Sequence, residues 1–299
     1  MMPYRDNNLY IFKGNKMNRK IYADYHLHSE FSADCKTKLD ELIASAKDKE
    51  LNSICLTDHN DLDFPDVPDH IRFDLDTDNY IRTLTDMRNS LLPDFDLRIG
   101  VEQGVMPSTC EKLNSFSKEH PGIDFIICSS HVVKEEDPYY PQTFKYPDGS
   151  PKDPKQIYIS YFEDILYNVQ HFHDYNVYGH LDYVFRYGPD HITRDSFEKD
   201  LYSDMKDLIY EILKTIIYDG KGIEINTGSL YRGMDYAHPH PLILKMYKEL
   251  GGEILTFGSD AHDLIHIGHE LDDAGSFAAH TGFKYWCTFK EMSPEYHNL

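Results

Sequence analysis

Seven times along the chain a short apolar run stops on polar, mostly metal-ligating residues, and stretches of helical spacing lie between the stops. The first run, 21–29, carries His26 and His28 one residue apart. On a strand, side chains two apart share a face, so both imidazoles project together at the strand's exit, whereas on a helix they diverge. So placed, they can chelate one transition metal. The later runs are 52–57, ending in Asp58-His59; 97–101, ending in Glu102; and 123–128, ending in Ser129-Ser130-His131. Then come 177–179 before His180-Leu181-Asp182, 222–225 before Asn226-Thr227, and 253–257 before Gly258-Ser259-Asp260-Ala261-His262.

Between these runs, 36–51 places Leu39, Leu42, Ile43 and Ala46 on one helical face. Further helices are expected over 158–175, 197–218 and 241–250. Continuous apolar strands alternating with helices imply a parallel sheet covered on both faces. Ligand-type residues at nearly every strand exit favour a closed barrel over a doubly wound sheet, because a barrel brings all the exits to one mouth. The expected architecture is α/β: a distorted (βα)7 TIM-like barrel. It occupies 21–299 as a single domain, behind an extension over 1–20 to which no function is assigned. Residues 286–292 read as a last strand closing onto the barrel.

Two connections are long. Residues 61–77 are rich in Asp and Pro, and 134–155 carry five prolines with Tyr139, Tyr140 and Tyr146. Both follow strands at the mouth, where long loops shape substrate pockets.

A hydrophobic content of 40% and an aromatic content of 13% suffice for a large core. No apolar run approaches the roughly 20 residues of a membrane span, and 1–20 lack a signal-peptide core, so the reading is cytoplasmic. The five cysteines are odd in number and form no CxxC pair, which argues for reduced, structural thiols. A net charge of −21 argues against nucleic acid or an anionic membrane as partner. An anionic substrate must therefore meet a locally positive site, and 17 histidines against 30 Lys and Arg point to metal as its source. Nothing in the sequence specifies an oligomeric state.

The candidate ligands are His26, His28, Asp34, His59, Glu102, His131, His180, Asp260 and His262. Each alone has an ordinary explanation: a helix cap for Asp34, an arginine partner for Glu102, a local hydrogen bond for His180. Nine at one barrel mouth do not. Their mixture of imidazole and carboxylate suits Zn, Mn or Fe, and their number exceeds what one ion can use.

The ordered set His26-x-His28, Thr57-Asp58-His59, Gly100-Val101-Glu102, Ser130-His131, Gly179-His180-Leu181-Asp182 and Ser259-Asp260-Ala261-His262 resembles the motif series of the PHP (polymerase and histidinol phosphatase) superfamily over about 21–262. Within it, the chain is most similar to stand-alone histidinol-phosphate phosphatases of histidine biosynthesis. The stretches His180 to Arg186 and Glu224-Ile225-Asn226-Thr227 to Arg232 look like that group's phosphate-binding segments. The resemblance implies a (βα)7 barrel with two to three divalent ions. His26, His28, Glu102 and Asp260 would hold the first, Glu102, His131 and His180 the second, and Asp34, His59 and His262 the third. Some members carry His where this chain has Asp34.

It further implies hydrolysis of L-histidinol phosphate by attack of a metal-bridging hydroxide, with Glu102, Asp260 and His262 as catalytic residues. Bridging metals lower the pKa of a shared water to about 7 and neutralise phosphoryl oxygens. Arg186 and Arg232 would add bidentate contacts to those oxygens. Asp260 and His262 are the candidates by position for protonating the leaving group. Another small phosphate ester or nucleotide would suit the same centre. An amidohydrolase-type barrel also starts with His-x-His, but the Thr57-Asp58-His59, Glu102 and Asp260-x-His262 set fits the phosphoesterase pattern better. A non-catalytic metal module would have lost ligands that are all present here.

Overall fold

The computed structural model describes residues 21–189 and 192–299; the expected extension over 1–20 lies outside the described residues. Eight parallel strands form the sheet: β1 Ala23–Leu27, β2 Ser53–Leu56, β3 His59–Asp61, β4 Asp96–Gly104, β5 Phe125–Ser129, β6 Val177–Tyr178, β7 Gly222–Asn226 and β8 Leu255–Gly258. The hydrogen-bonded order is β1-β2-β4-β5-β6-β7-β8, with β3 also paired to β4. Because β2 and β3 pair with successive parts of β4, they are two pieces of one strand interrupted at Thr57-Asp58, and seven strand positions result. The ring nearly closes where Leu27 bridges Ala261 and the His28 N–H donates to the Ala261 carbonyl at 3.0 Å. The expected distorted (βα)7 barrel is the observed one.

Helices cover the outside. Leu39–Asp48 buries Leu39, Leu42, Ile43 and Ala46, the face its periodicity predicts. Each fully buried aliphatic of this kind contributes about 1.5–3 kcal/mol. The helix expected over 158–175 is Pro154–His171, begun by an Asp153 cap followed by Pro154 at the first turn. The one expected over 197–218 opens with a wide turn at Phe197–Leu201 and continues as Tyr202–Tyr218; the one expected over 241–250 is Pro241–Glu249. Thr77–Leu91 and Leu271–Thr281 complete the shell. The β4–β5 crossover holds two four-residue helical turns, Cys110–Leu113 and Phe116–Glu119, in place of a long helix.

Residues 286–292 depart from expectation. They belong to β9 (Tyr285–Lys290), which pairs antiparallel with β10 (Ser293–Asn298) in a separate hairpin. The hairpin plugs the N-terminal end of the barrel. Trp286 packs edge-on to Tyr22 at 5.1 Å and Phe289 packs on Phe125 at 4.9 Å. The Met292 N–H donates to the Asp124 carbonyl just ahead of β5. All five cysteines are free and buried. Among the described residues, no helix is long and apolar enough to cross a membrane.

Candidate active site

At the opposite, C-terminal end of the strands the candidate ligands converge on Glu102, which is fully buried. Strand β4 runs past it to Gly104, so Glu102 is not a strand terminus but lies inside the ladder, level with His59 on β3. Its Oε2 stands 3.1 Å from His26 Nε2, 3.3 Å from His28 Nε2 and 3.1 Å from His59 Nδ1. Its Oε1 stands 3.0 Å from His131 Nε2 and 2.8 Å from His180 Nε2. One carboxylate thus faces five imidazoles delivered by β1, β3 and the exits of β5 and β6. His26 and His28 share a face, as alternation predicts, with ring centroids 5.2 Å apart.

Asp260 joins the cluster from the exit of β8. Its Oδ1 lies 3.5 Å from His28 Nε2 and 3.7 Å from His262 Nδ1, while its Oδ2 lies 3.2 Å from Arg232 Nη1 and 3.5 Å from Arg186 Nη2. This residue has φ 55°, a left-handed conformation that costs about 1–3 kcal/mol for a side chain with a Cβ. Its backbone is held on both sides: the N–H donates to the His26 carbonyl at 2.8 Å, and the carbonyl accepts from the Tyr231 hydroxyl at 2.7 Å and Arg232 Nη2 at 3.2 Å. Asp34 sits at the rim, its Oδ2 3.3 Å from His262 Nε2 and 3.8 Å from His59 Nε2. All nine candidate ligands and both arginines therefore gather at one mouth.

Sequence reasoning missed the carboxylates that orient the histidines. Glu224, expected within a phosphate-binding segment, instead points into the barrel. Its Oε1 meets His26 Nδ1 at 2.7 Å, and its Oε2 accepts the His180 N–H at 3.0 Å. Asp61, expected in a loop, extends β3 and meets His131 Nδ1 at 2.6 Å. Asp58 takes the hydroxyl of Ser32, whose Oγ reaches His28 Nδ1 at 3.0 Å. Two glycines make room: a Cβ on Gly258 would collide with Glu224 and His26, and one on Gly104 with Asp61. A carboxylate inside a continuously buried strand run was the available signal for Glu224.

Burial pushes the Glu102 carboxyl up, but His26, His131 and His59 outweigh it and hold it well below the usual range. For Asp260, Arg232, His28, His26 and Arg186 likewise overcome burial and keep the group ionised. Burial drives His59 down to about 4, whereas His28 is lifted to about 9 because Asp260 and Glu102 outweigh its burial. Burial and the neighbouring carboxylates thus pull the imidazoles of one cluster in opposite directions.

A metal centre fits these residues. His26 Nε2, His28 Nε2, His59 Nδ1 and Glu102 Oε2 are buried and make no hydrogen bond, although they crowd one another. Such atoms carry a desolvation cost that a shared cation removes. Donor atoms lie within 4.8 Å of one another in four groups: His26/His28/Glu102, Glu102/His131/His180, His28/His59/His262 and His59/Asp61/His131. The cluster opens into a cavity of about 380 Å³, lined also by Arg186, Arg232, Tyr183, Tyr187 and residues of the two long loops.

The PHP domain family model matches residues 24–228. The histidinol-phosphatase of Lactococcus lactis subsp. lactis is 29% identical over 90% of this chain and 94% of its own length. A probable histidinol-phosphatase of Clostridium acetobutylicum is 31% identical over 87% of this chain and 94% of its own. Among solved structures, the Lactococcus lactis histidinol phosphate phosphatase, complexed with Zn, L-histidinol and phosphate, superposes with a TM-score of 0.76 at 27% identity, covering 92% of this chain and 98% of that one. A putative histidinol phosphatase from Listeria monocytogenes, at 16% identity and a TM-score of 0.67, shares the fold.

Proposed function

The chain belongs to the PHP domain family, and from that premise we propose that it is a metal-dependent phosphomonoesterase that hydrolyses L-histidinol phosphate to L-histidinol and inorganic phosphate. One observation carries the reading: Asp260 turns one carboxylate oxygen to the histidine cluster and the other to two guanidiniums. A metal centre and an anion-binding pair are thereby joined through a single side chain.

We assign His26, His28, Glu102 and Asp260 to a first divalent ion, Glu102, His131 and His180 to a second, and Asp34, His59 and His262 to a third, with Zn, Mn or Fe as the ions. When bound, such ions supply an activated water and neutralise charge on phosphoryl oxygens. Arg186 and Arg232 bind the non-bridging oxygens of the substrate. Arg186 is well buried and stacks on the Tyr183 ring at 4.9 Å, so its guanidinium is presented in a fixed plane. Asp260, whose Oδ1 lies beside His28 Nε2 and His262 Nδ1, would take the proton of a water activated at such a centre. His262, whose Nδ1–H donates to the Asp260 carbonyl at 3.0 Å, lines the cavity and would return a proton to the leaving alkoxide. Glu224 and Asp61 keep His26 and His131 in orientation.

The test is phosphate release from a panel of phosphomonoesters by metal-stripped protein reloaded with Zn, Mn or Fe, beside Asp260→Ala. Histidinol phosphate should be hydrolysed fastest, with activity lost on chelation and in the variant. Intact monoesters under every metal would refute the reading.

A further inference from the structure

Two guanidiniums converge on one carboxylate oxygen, Asp260 Oδ2, with Arg186 Nη2 at 3.5 Å and Arg232 Nη1 at 3.2 Å. Like charges so placed repel, and one carboxylate neutralises only one of them, so the backbone has to hold the two arginines together. They come from separate segments. Arg186 ends the turn Tyr183–Arg186 after β6, and Arg232 follows the short helix Gly228–Tyr231 after β7. Gly228 lets Arg232 fold back, since a Cβ there would collide with its guanidinium.

A buried pair ties these segments at their bases. Asp182, the residue before the first turn, accepts from His238 Nδ1–H at 2.6 Å through Oδ1 and from the His240 N–H at 2.8 Å through Oδ2. His238 is paired in turn with Asn226: its N–H donates to the Asn226 carbonyl at 2.9 Å, and its carbonyl accepts the Asn226 N–H at 2.7 Å. Residues 226–238 are thereby a closed loop that carries Arg232, and Asp182 grips its point of closure. Both side chains of the pair are fully buried, and neither is among the residues lining the cavity. His238 Nε2 makes no hydrogen bond among the described residues. An apolar side chain would fill the same space without that unmatched nitrogen, so packing alone does not account for the ring.

We propose that the Asp182–His238 pair is the positioning device of the phosphate clamp: it joins the two arginine-bearing segments so that Arg186 and Arg232 reach the same phosphoryl group. The assignment rests on the phosphomonoesterase reading above. Bidentate guanidinium contacts are strict in angle and distance, so a small shift of one segment against the other costs binding of the oxyanion. The metal ligands stay where they are.

The test compares His238→Leu, which removes the donor, with His238→Asn, whose amide nitrogen takes the place of Nδ1. Metal-loaded proteins are assayed on histidinol phosphate, with inorganic phosphate as inhibitor and metal content measured alongside. In His238→Leu, KM and the phosphate inhibition constant should both rise about tenfold, with kcat within threefold of the parent and metal content unchanged. His238→Asn should stay within threefold throughout. In an Arg186→Ala background, adding His238→Leu should weaken phosphate less than threefold further, because the clamp is already broken. Where His238→Leu does not fold, Asp182→Asn is read by the same criteria. Phosphate affinity that moves less than threefold, a loss confined to kcat or metal content, failure of His238→Asn to restore affinity, or a full additional loss in the Arg186→Ala background would each overturn the assignment and leave the phosphatase reading standing. Unmodified protein that hydrolyses no phosphomonoester would sink both.

Discussion

The two ends of the barrel are built from the same strands and opposite economies. At the N-terminal end the hairpin is tied in by hydrogen bonds: Tyr25 exchanges hydrogen bonds with the Phe289 backbone at 3.1 Å in both directions, and Arg98 reaches the Phe289 carbonyl at 3.3 Å. At the C-terminal end, buried nitrogens and a carboxylate oxygen crowd together with no hydrogen bond. Satisfied polar groups packed on aromatic rings stabilise; unsatisfied converging donors cost stability and hold binding capacity in its place. One end carries the fold and the other carries the chemistry, so substitutions should separate the two.

The largest effect is expected at Glu102. Because its two oxygens face five histidines, Glu102→Ala should remove the group that unites the proposed ions, lowering phosphatase activity on the order of 10³-fold or more. Metal content by elemental analysis should drop in parallel, and the fold should survive by circular dichroism. Full metal stoichiometry in the variant would break the contrast. The mirror experiment is Trp286→Ala at the plug. Removing a fully buried indole should cost about 3–5 kcal/mol and lower Tm by roughly 10 °C, with kcat/KM at 25 °C unchanged within about twofold. A large loss of activity in protein that remains folded would mean the ends are coupled.

Acid should also act on one side. His240 is buried beside the mouth, its Nε2 directed to the Arg194 carbonyl at 3.2 Å and its Nδ1 accepting the Leu242 N–H. Burial pushes its pKa from 6.5 down to about 4, only partly opposed by Asp182 and Asp235. The folded state therefore prefers the neutral ring, and between about 4 and 6.5 the unfolded chain binds more protons. Stability is complete above about 6.5 and declines as pH falls toward 4, by up to roughly 3 kcal/mol at 1.36 kcal/mol per pH unit. His240→Asn should flatten that part of a urea-unfolding pH series. An unchanged slope would place the acid sensitivity elsewhere.

What the sequence disclosed and what it withheld divide along the same line. Strands and the Leu39–Asp48 face were legible because local periods of 2 and 3.6 report directly on burial, and the convergence of the nine candidate ligands followed from their places near the strand exits. The glutamate at 102 was recognisable by type but misplaced at a strand end, since β3 extends the ladder beside it and a two-residue break at Thr57-Asp58 hides that extension. Asp61 escaped for the same reason: with His59 and Asp61 on one continuing strand, alternation would have put both on the ligand face. The hairpin's role was not readable, because its contacts to Asp124 and Asn176 join residues more than a hundred positions apart.

Glu224 gives the finest test of the contrast, because it belongs to neither end alone. It is 198 positions from His26 in sequence, is not among the residues lining the active-site cavity, and yet fixes a ring nitrogen of one proposed ion site and the backbone of His180 in the next. Outer carboxylates of this kind set imidazole tautomer and basicity and are worth about 10–100-fold in metal affinity. Glu224→Gln keeps the shape and the acceptor oxygen but removes the charge, so the barrel should melt within a few degrees of the parent. Metal titration against a competing chelator should show the weakening. Were affinity unchanged while Tm fell sharply, Glu224 would be a packing residue and the orienting role would pass to Asn226, whose Nδ2 also approaches His26 Nδ1, at 3.4 Å.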